Sequence, residues 1–164
     1  MNTIFLAPHN DDEALFGAFT IMREKPSVFI ITESYIQPNR GEVGCDAETR
    51  WEESKKAMQI LGAMVIRVGI KDFELQAGNL ANFFKGTYGT VEKVYAPALQ
   101  SGNPHHDMVS VAAKEIWGDK VVFYSTYAPG QFFTKGDIEI KPTPEEMEKK
   151  IQALACYTSQ LNLA

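Results

Sequence analysis

The chain is predicted to be α/β: a doubly wound, mostly parallel sheet with helices on both faces, built in the Rossmann-like manner. Three observations predict it. Short apolar runs alternate with segments of helical periodicity along the whole of the 164 residues. One of those runs, Val28–Thr32, is continuously β-branched or aromatic, the pattern of a strand covered on both faces. Residue types suited to chemistry gather where strands should end, the edge at which such sheets bind ligands.

The elements follow in order. Residues 3–7 form a first buried strand, and Leu15, Phe19 and Met22 place a helix over about residues 12–23. The second strand is Val28–Thr32. Residues 33–46 carry Pro38, Asn39, Gly41 and Gly44 and read as a long loop, a length that is often functional. Trp51, Met58 and Leu61 mark a second helix stopped by Gly62, and a third strand covers residues 64–68. Residues 77–90 fit a short helix and a Gly-containing turn. A fourth strand at residues 94–97 leads to a helix from about His106 to Trp117, ended by Gly118. A fifth strand spans residues 121–127. Thr143-Pro-Glu-Glu is a helix start, with Thr143 as cap, Pro144 in the first position and Glu146 placed for a capping box. That last helix is expected to reach about Gln160. Trp51, Tyr95, Phe83 and Phe84 are assigned to the core, and the pair Phe132-Phe133 after Gly130 could wall a pocket, which no pattern decides.

Composition narrows the function. A chain of this length is expected to be one domain over residues 1–164, and 45% hydrophobic residues with ten Phe can build its core. A net charge of −5 argues against nucleic acid or an anionic membrane as partner. No apolar run approaches the roughly 20 residues of a membrane span, and no basic-then-apolar leader opens the chain. Cys45 and Cys156 are isolated, which suits a reduced, cytoplasmic setting. Oligomeric state is open between a monomer and a homo-oligomer.

Residues 7–13 read Ala-Pro-His-Asn-Asp-Asp-Glu at the first strand-to-helix junction. Imidazole and carboxylates so close together suit a divalent metal with a spare carboxylate as base. The plainer alternative is a helix N-terminus whose acidic residues answer the helix dipole. Residues 101–109, Ser-Gly-Asn-Pro-His-His-Asp-Met-Val, follow the fourth strand at the same sheet edge. A histidine there could complete a mononuclear site with His9 and a nearby Asp. Two nitrogens, one carboxylate and open positions make a catalytic rather than a structural zinc arrangement. The alternative is a polar loop with a helix cap near Asp107.

These stretches resemble the LmbE-like, or PIG-L-type, zinc-dependent N-acetylglucosaminyl deacetylases. That family opens on His-Pro-Asp-Asp-Glu, and this chain has His9-Asn10-Asp11-Asp12-Glu13. Its second motif, His-x-Asp-His with an aliphatic residue three positions on, corresponds to Asn103-Pro104-His105-His106 with Val109. Arg50-Trp-Glu-Glu53 with Leu61-Gly62, and Lys150 with Tyr157-Thr-Ser-Gln160, match two further family stretches. The resemblance covers essentially the whole chain.

The resemblance implies Zn2+ held by His9, Asp12 and His106, with Asp11 as general base. It implies a small N-acetylated substrate, an N-acetylglucosamine derivative by inheritance. Glu13 is placed behind the site or at the helix start. The family's Pro is Asn10 here, which alters the turn. The family's first His and its Asp are Asn103 and His105 here, so these two inherit the task of stabilising the oxyanion. A different register puts His105 first and Met108 at the metal, and a thioether is a poor zinc ligand. Arg50 resembles a residue near the substrate, against the plainer reading of an ion-paired or solvated arginine. Asp72, after the third strand, is expected to bind substrate too. Three rivals stand beside this reading: a hydrolase of another amide, a metal- or sugar-binding module whose catalysis decayed at Asn103, and a magnesium phosphatase built on Asp11 and Asp12. The last would want more carboxylates and no ligand histidines.

Overall fold

The structure is a computed structural model and describes residues 2–34, 45–86, 89–127 and 136–161. Five strands form one sheet: β1 (Thr3–Ala7), β2 (Ser27–Thr32), β3 (Val65–Ile70), β4 (Lys93–Pro97) and β5 (Val121–Tyr124). Their order is β3-β2-β1-β4-β5, and every pairing is parallel. The chain winds outward from β1 to β3, then returns to β4 on the other side of β1. Parallel strands need crossovers, and the crossovers here are helical. The order reverses between β1 and β4, so a crevice opens beyond their carboxyl ends.

Alternate residues of each strand face opposite ways, and both faces are covered. Ile4, Leu6, Phe29 and Ile31 pack on one side with Leu80 and Phe84 of α4 (Ala77–Phe84) and Val109, Ala112 and Trp117 of α5 (Pro104–Trp117). Phe5, Ala7, Val28 and Ile30 pack on the other. There they meet α1 (Asp12–Leu15), α2 (Ala18–Glu24), α3 (Ala47–Leu61) and α6 (Pro144–Leu154) through Ala14, Ile21, Met58, Leu61 and Ala153. A short α7 (Thr158–Leu161) follows.

Several expected elements are corrected. The helix predicted over residues 12–23 is two, because Gly17 lies against β1. A Cβ there would fall on the Phe5 ring and stand 2.9 Å from the Glu13 carbonyl oxygen. The helix expected from His106 begins at Pro104. Its cap is Asn103, whose Oδ1 accepts from the His105 main-chain N at 2.8 Å. Asp107 is no cap: its Oδ1 accepts from Gln100 N and Ser101 N, both at 3.1 Å, and pins the turn before the helix. The fifth strand ends at Tyr124. The last helix stops at Leu154, and α7 starts separately on a carboxylate. Glu53 accepts there from Ser159 N at 2.8 Å, Ser159 Oγ at 2.7 Å and Thr158 Oγ1 at 3.1 Å. Phe84 is core, but its neighbour Phe83 is exposed. Most of the long loop, residues 35–44, and the Phe132-Phe133 pair lie outside the described residues. No helix among the described residues is long and apolar enough to cross a membrane.

Candidate metal centre

The crevice between β1 and β4 is where the two sequence clusters meet. β1 ends at Ala7, and the chain turns through Pro8 to Asp11 before α1 begins. Asp11 sits at φ 122°, a region that residues with a side chain rarely occupy. That turn sends the neighbouring carboxylates of Asp11 and Asp12 in different directions. Asp12 goes inward and is buried. Its Oδ2 accepts from the His9 main-chain N at 2.8 Å and stands 3.1 Å from His9 Nδ1 and 3.0 Å from His106 Nε2. His106 comes from the first turn of α5, and its Nδ1 lies 3.3 Å from Thr126 Oγ1.

His9, Asp12 and His106 therefore offer three ligand atoms that all lie within 4.8 Å of one another. The buried Nε2 of His106 is close to Asp12 Oδ2 yet has no aligned hydrogen bond. Proximity without alignment is what donors aimed at a common third point show. Three donors about 2.0–2.1 Å from a tetrahedral centre stand about 3.3 Å apart, near the 3.0 and 3.1 Å spacings seen. The set thus fits a divalent ion. Electrostatics agree. Burial pushes the Asp12 carboxyl up, but the His106 and His9 rings outweigh it and hold it well below the usual carboxylate range. Burial lowers His9, yet the hydrogen bond and charge of Asp12 leave it above its ordinary value.

Asp11 remains beside this set without joining it. Burial, then the charge of Asp12, push its carboxyl up to about 7, against the opposing charge of Arg50. Arg50 Nη2 donates to Asp11 Oδ2 at 3.2 Å and also to the Asn10 carbonyl. Arg50 itself is buried, so the residue expected against the substrate is ion-paired to the candidate base. Asn10 does more than shape the turn: its Nδ2 donates to Ser54 Oγ at 2.8 Å and the Arg50 carbonyl at 3.3 Å, tying the loop to α3. Glu13, fully buried, accepts from Asp11 N at 3.0 Å and from Tyr157 OH. The chain end thereby holds the loop from behind.

A cleft of about 360 Å³ opens over these groups, lined by His9, Asp11, Asp12, Leu15, Arg50, Asn103 and Tyr127. Of these, Asn103 donates from Nδ2 to Tyr127 OH at 3.4 Å. His105, paired with Asn103 in the sequence reading, turns to His9 instead: its Nδ1 is 2.8 Å from His9 Nε2. Asp72 lies at the same edge, where its Oδ1 accepts from Ser34 N at 3.2 Å. Thr126 and Tyr127 escaped sequence reasoning. Their one signal is position, directly after the β5 run, and Ser-Thr-Tyr after a strand is too common to single out.

A profile of the PIG-L family, described as GlcNAc-PI de-N-acetylase, matches residues 4–117. A search of curated protein sequences gives no match. Among solved structures, a triple mutant of a deacetylase of the teicoplanin biosynthetic pathway aligns at TM-score 0.79 and 20% identity, covering 99% of this chain and 84% of that one. The N,N'-diacetylchitobiose deacetylase of Pyrococcus horikoshii aligns at TM-score 0.69 and 16% identity, over 97% and 70%. GalB, the 4-carboxy-2-hydroxymuconate hydratase of Pseudomonas putida KT2440, aligns at TM-score 0.74 and 20% identity, over 99% and 81%. The family profile spans most of the chain, and the chain belongs to the PIG-L, or LmbE-like, family as a hydrolase of the deacetylase type.

Proposed function

We propose that the protein is a zinc-dependent deacetylase of a small N-acetylated molecule, with an N-acetylglucosamine derivative as the first candidate. The observation that carries this reading is the convergence of His9, Asp12 and His106 on one point, with Asp11 facing the cleft beside them. Because a hydratase shares the fold, fold alone does not choose the reaction; the family profile favours deacetylation. The sugar preference rests on the family and on the sugar named for the diacetylchitobiose deacetylase.

Zinc held by the three ligands would supply a Lewis acid that acidifies an attacking water and polarises the amide carbonyl. The remaining steps belong to the chain. Asp11 takes the proton of the attacking water and later returns it to the leaving amine. Burial and the charge of Asp12 raise the affinity of that carboxyl for a proton, as the role of base requires. Arg50, which also lines the cleft, anchors that carboxylate through its Nη2. The Asn103 Nδ2 lines the cleft and supplies an N–H to the carbonyl oxygen as charge develops there. Tyr127 and Leu15 wall the space for the acyl group.

The test joins metal analysis to amine release from a panel of N-acetyl sugars. The parent should hold about one zinc and release amine. Asp12→Ala and His106→Ala should lose the metal. Asp11→Asn should keep it but fall in rate by about 10²–10⁴-fold, since the amide cannot take the proton. Full occupancy in both ligand variants, or parental rates in Asp11→Asn, would sink the assignment. Zinc binding without amine release from any sugar would move the substrate to another amide.

A further inference from the structure

His9 has two ring nitrogens, and the structure gives each a different neighbour. Nδ1 faces Asp12 Oδ2 at 3.1 Å, on the metal side. Nε2 stands 2.8 Å from Nδ1 of His105. That second distance is too short for both nitrogens to ligate one ion, because two ligands of a tetrahedral zinc stand about 3.3 Å apart. It is a hydrogen-bond distance, so one proton lies between the two rings. A nitrogen that gives its lone pair to a metal carries no proton. With Nδ1 as ligand atom, the single ring proton of His9 sits on Nε2 and points at His105. His105 Nδ1 is then the acceptor. The His105 backbone is held as well: its N–H is the donor that Asn103 caps, one residue before His106.

We infer that His105 is the positioning residue of the metal centre: with an ion on His9 Nδ1, it accepts the His9 Nε2–H and so holds that ring toward the point shared with Asp12 and His106. The inference rests on the ligand set proposed above. Ligating histidines ordinarily hand their second N–H to a carboxylate, carbonyl or water. Here an imidazole takes that place. It fixes tautomer and ring orientation as a carboxylate would, but adds no negative charge behind the ligand.

The test uses the full chain. Zinc affinity is measured by competition with a chromophoric chelator in the parent, His105→Ala and His105→Asp. The His9 Nε2–H and its hydrogen bond to His105 are read by nitrogen NMR in the zinc-loaded parent and in zinc-loaded His105→Ala. The zinc-loaded parent should carry its His9 proton on Nε2, hydrogen-bonded to His105 Nδ1. His105→Ala should bind zinc about 10–100-fold more weakly and lose that hydrogen-bond signature. His105→Asp should return the affinity to the parental level or above, a rescue that a merely structural role would not give. Parental affinity in His105→Ala, equal weakness in both variants, or a parent protonated at Nδ1 overturns the inference. A parent that binds no zinc overturns the ligand set, and the inference with it.

Discussion

Asn103 caps a helix with one atom and is the proposed oxyanion donor with another. Its Oδ1 caps α5, and its Nδ2 donates to Tyr127 OH, both residues lining the cleft. Substitution can separate them. Asn103→Asp keeps an acceptor for the His105 N–H but has no side-chain N–H to offer a substrate. Its thermal stability should match the parent, while the rate of amine release falls by about 10²–10³-fold, the usual value of an oxyanion donor. Asn103→Ala should show the same rate loss and also lose about 1 kcal/mol with the cap. A fully active Asn103→Asp would place the donor elsewhere, with Tyr127 OH the next group along the cleft. The sequence made the acidic stretch at residues 9–13 legible because its residue types are scarce and its spacing is local. It left the division between Asn103 and His105 illegible, because that division depends on a ring direction set by His9, 96 residues away.

At the scale of elements, the first helix is the instructive failure. Leu15, Phe19 and Met22 keep helical spacing, so periodicity predicts continuity across Gly17. The break comes from tertiary contact with Phe5, which no local pattern records. Gly17→Ala should therefore destabilise the fold by about 1–3 kcal/mol, the range for overpacking, seen as a lower urea midpoint. An unchanged midpoint would mean that the Phe5 ring moves aside freely. The C-terminal helix start, by contrast, was legible to the residue. Thr143 and Glu146 form the capping box, and Pro144 opens α6. Glu146 also receives both Arg23 Nε and Nη2 at 2.7 Å, joining α6 to α2. Arg23, then the Thr143 N–H, hold its carboxyl down at about 2, below its unfolded value of 4.5. A depressed folded value means the stabilisation is complete above the unfolded value and is lost as pH falls toward the folded one. The urea midpoint of Glu146→Gln should lie below the parent's at neutral pH, and the gap should close as pH drops below about 4.5. A gap that persists at the acid end would assign it to helix capping, not charge. The pair is exposed, so the gap should be small.

For the whole molecule, topology does what no single stretch can. Alternation of strands and helices made the parallel sheet legible, and the sheet puts His9 after β1 and His106 after β4 at one edge. The order β3-β2-β1-β4-β5 makes β1 and β4 neighbours, so residues about a hundred positions apart come together as candidate ligands. The C-terminal segment was legible only through the family resemblance of Lys150 and Tyr157, because their partners lie far away in the chain. In the fold Lys150 donates to the Leu15 carbonyl at 2.6 Å, at the end of α1, and Tyr157 donates to Glu13 behind Asp11. The site is thus braced from both halves of the chain, and an ion held by His9, Asp12 and His106 would clip β1 to the α5 side of the sheet. A ligand that binds only the folded state stabilises it by mass action, about 2.7 kcal/mol at a hundred times its dissociation constant. For a domain of this size each kcal/mol is worth roughly 2–4 °C, so zinc at that level should raise the melting temperature of chelator-treated protein by about 5–11 °C. Asp12→Ala should show no such rise, and Asp11→Asn should show the full one. Equal shifts in parent and Asp12→Ala would mean that zinc binds elsewhere on the chain. No shift in the parent would remove the metal clip altogether and leave the buried Asp12 held by two histidines as a structural feature in its own right.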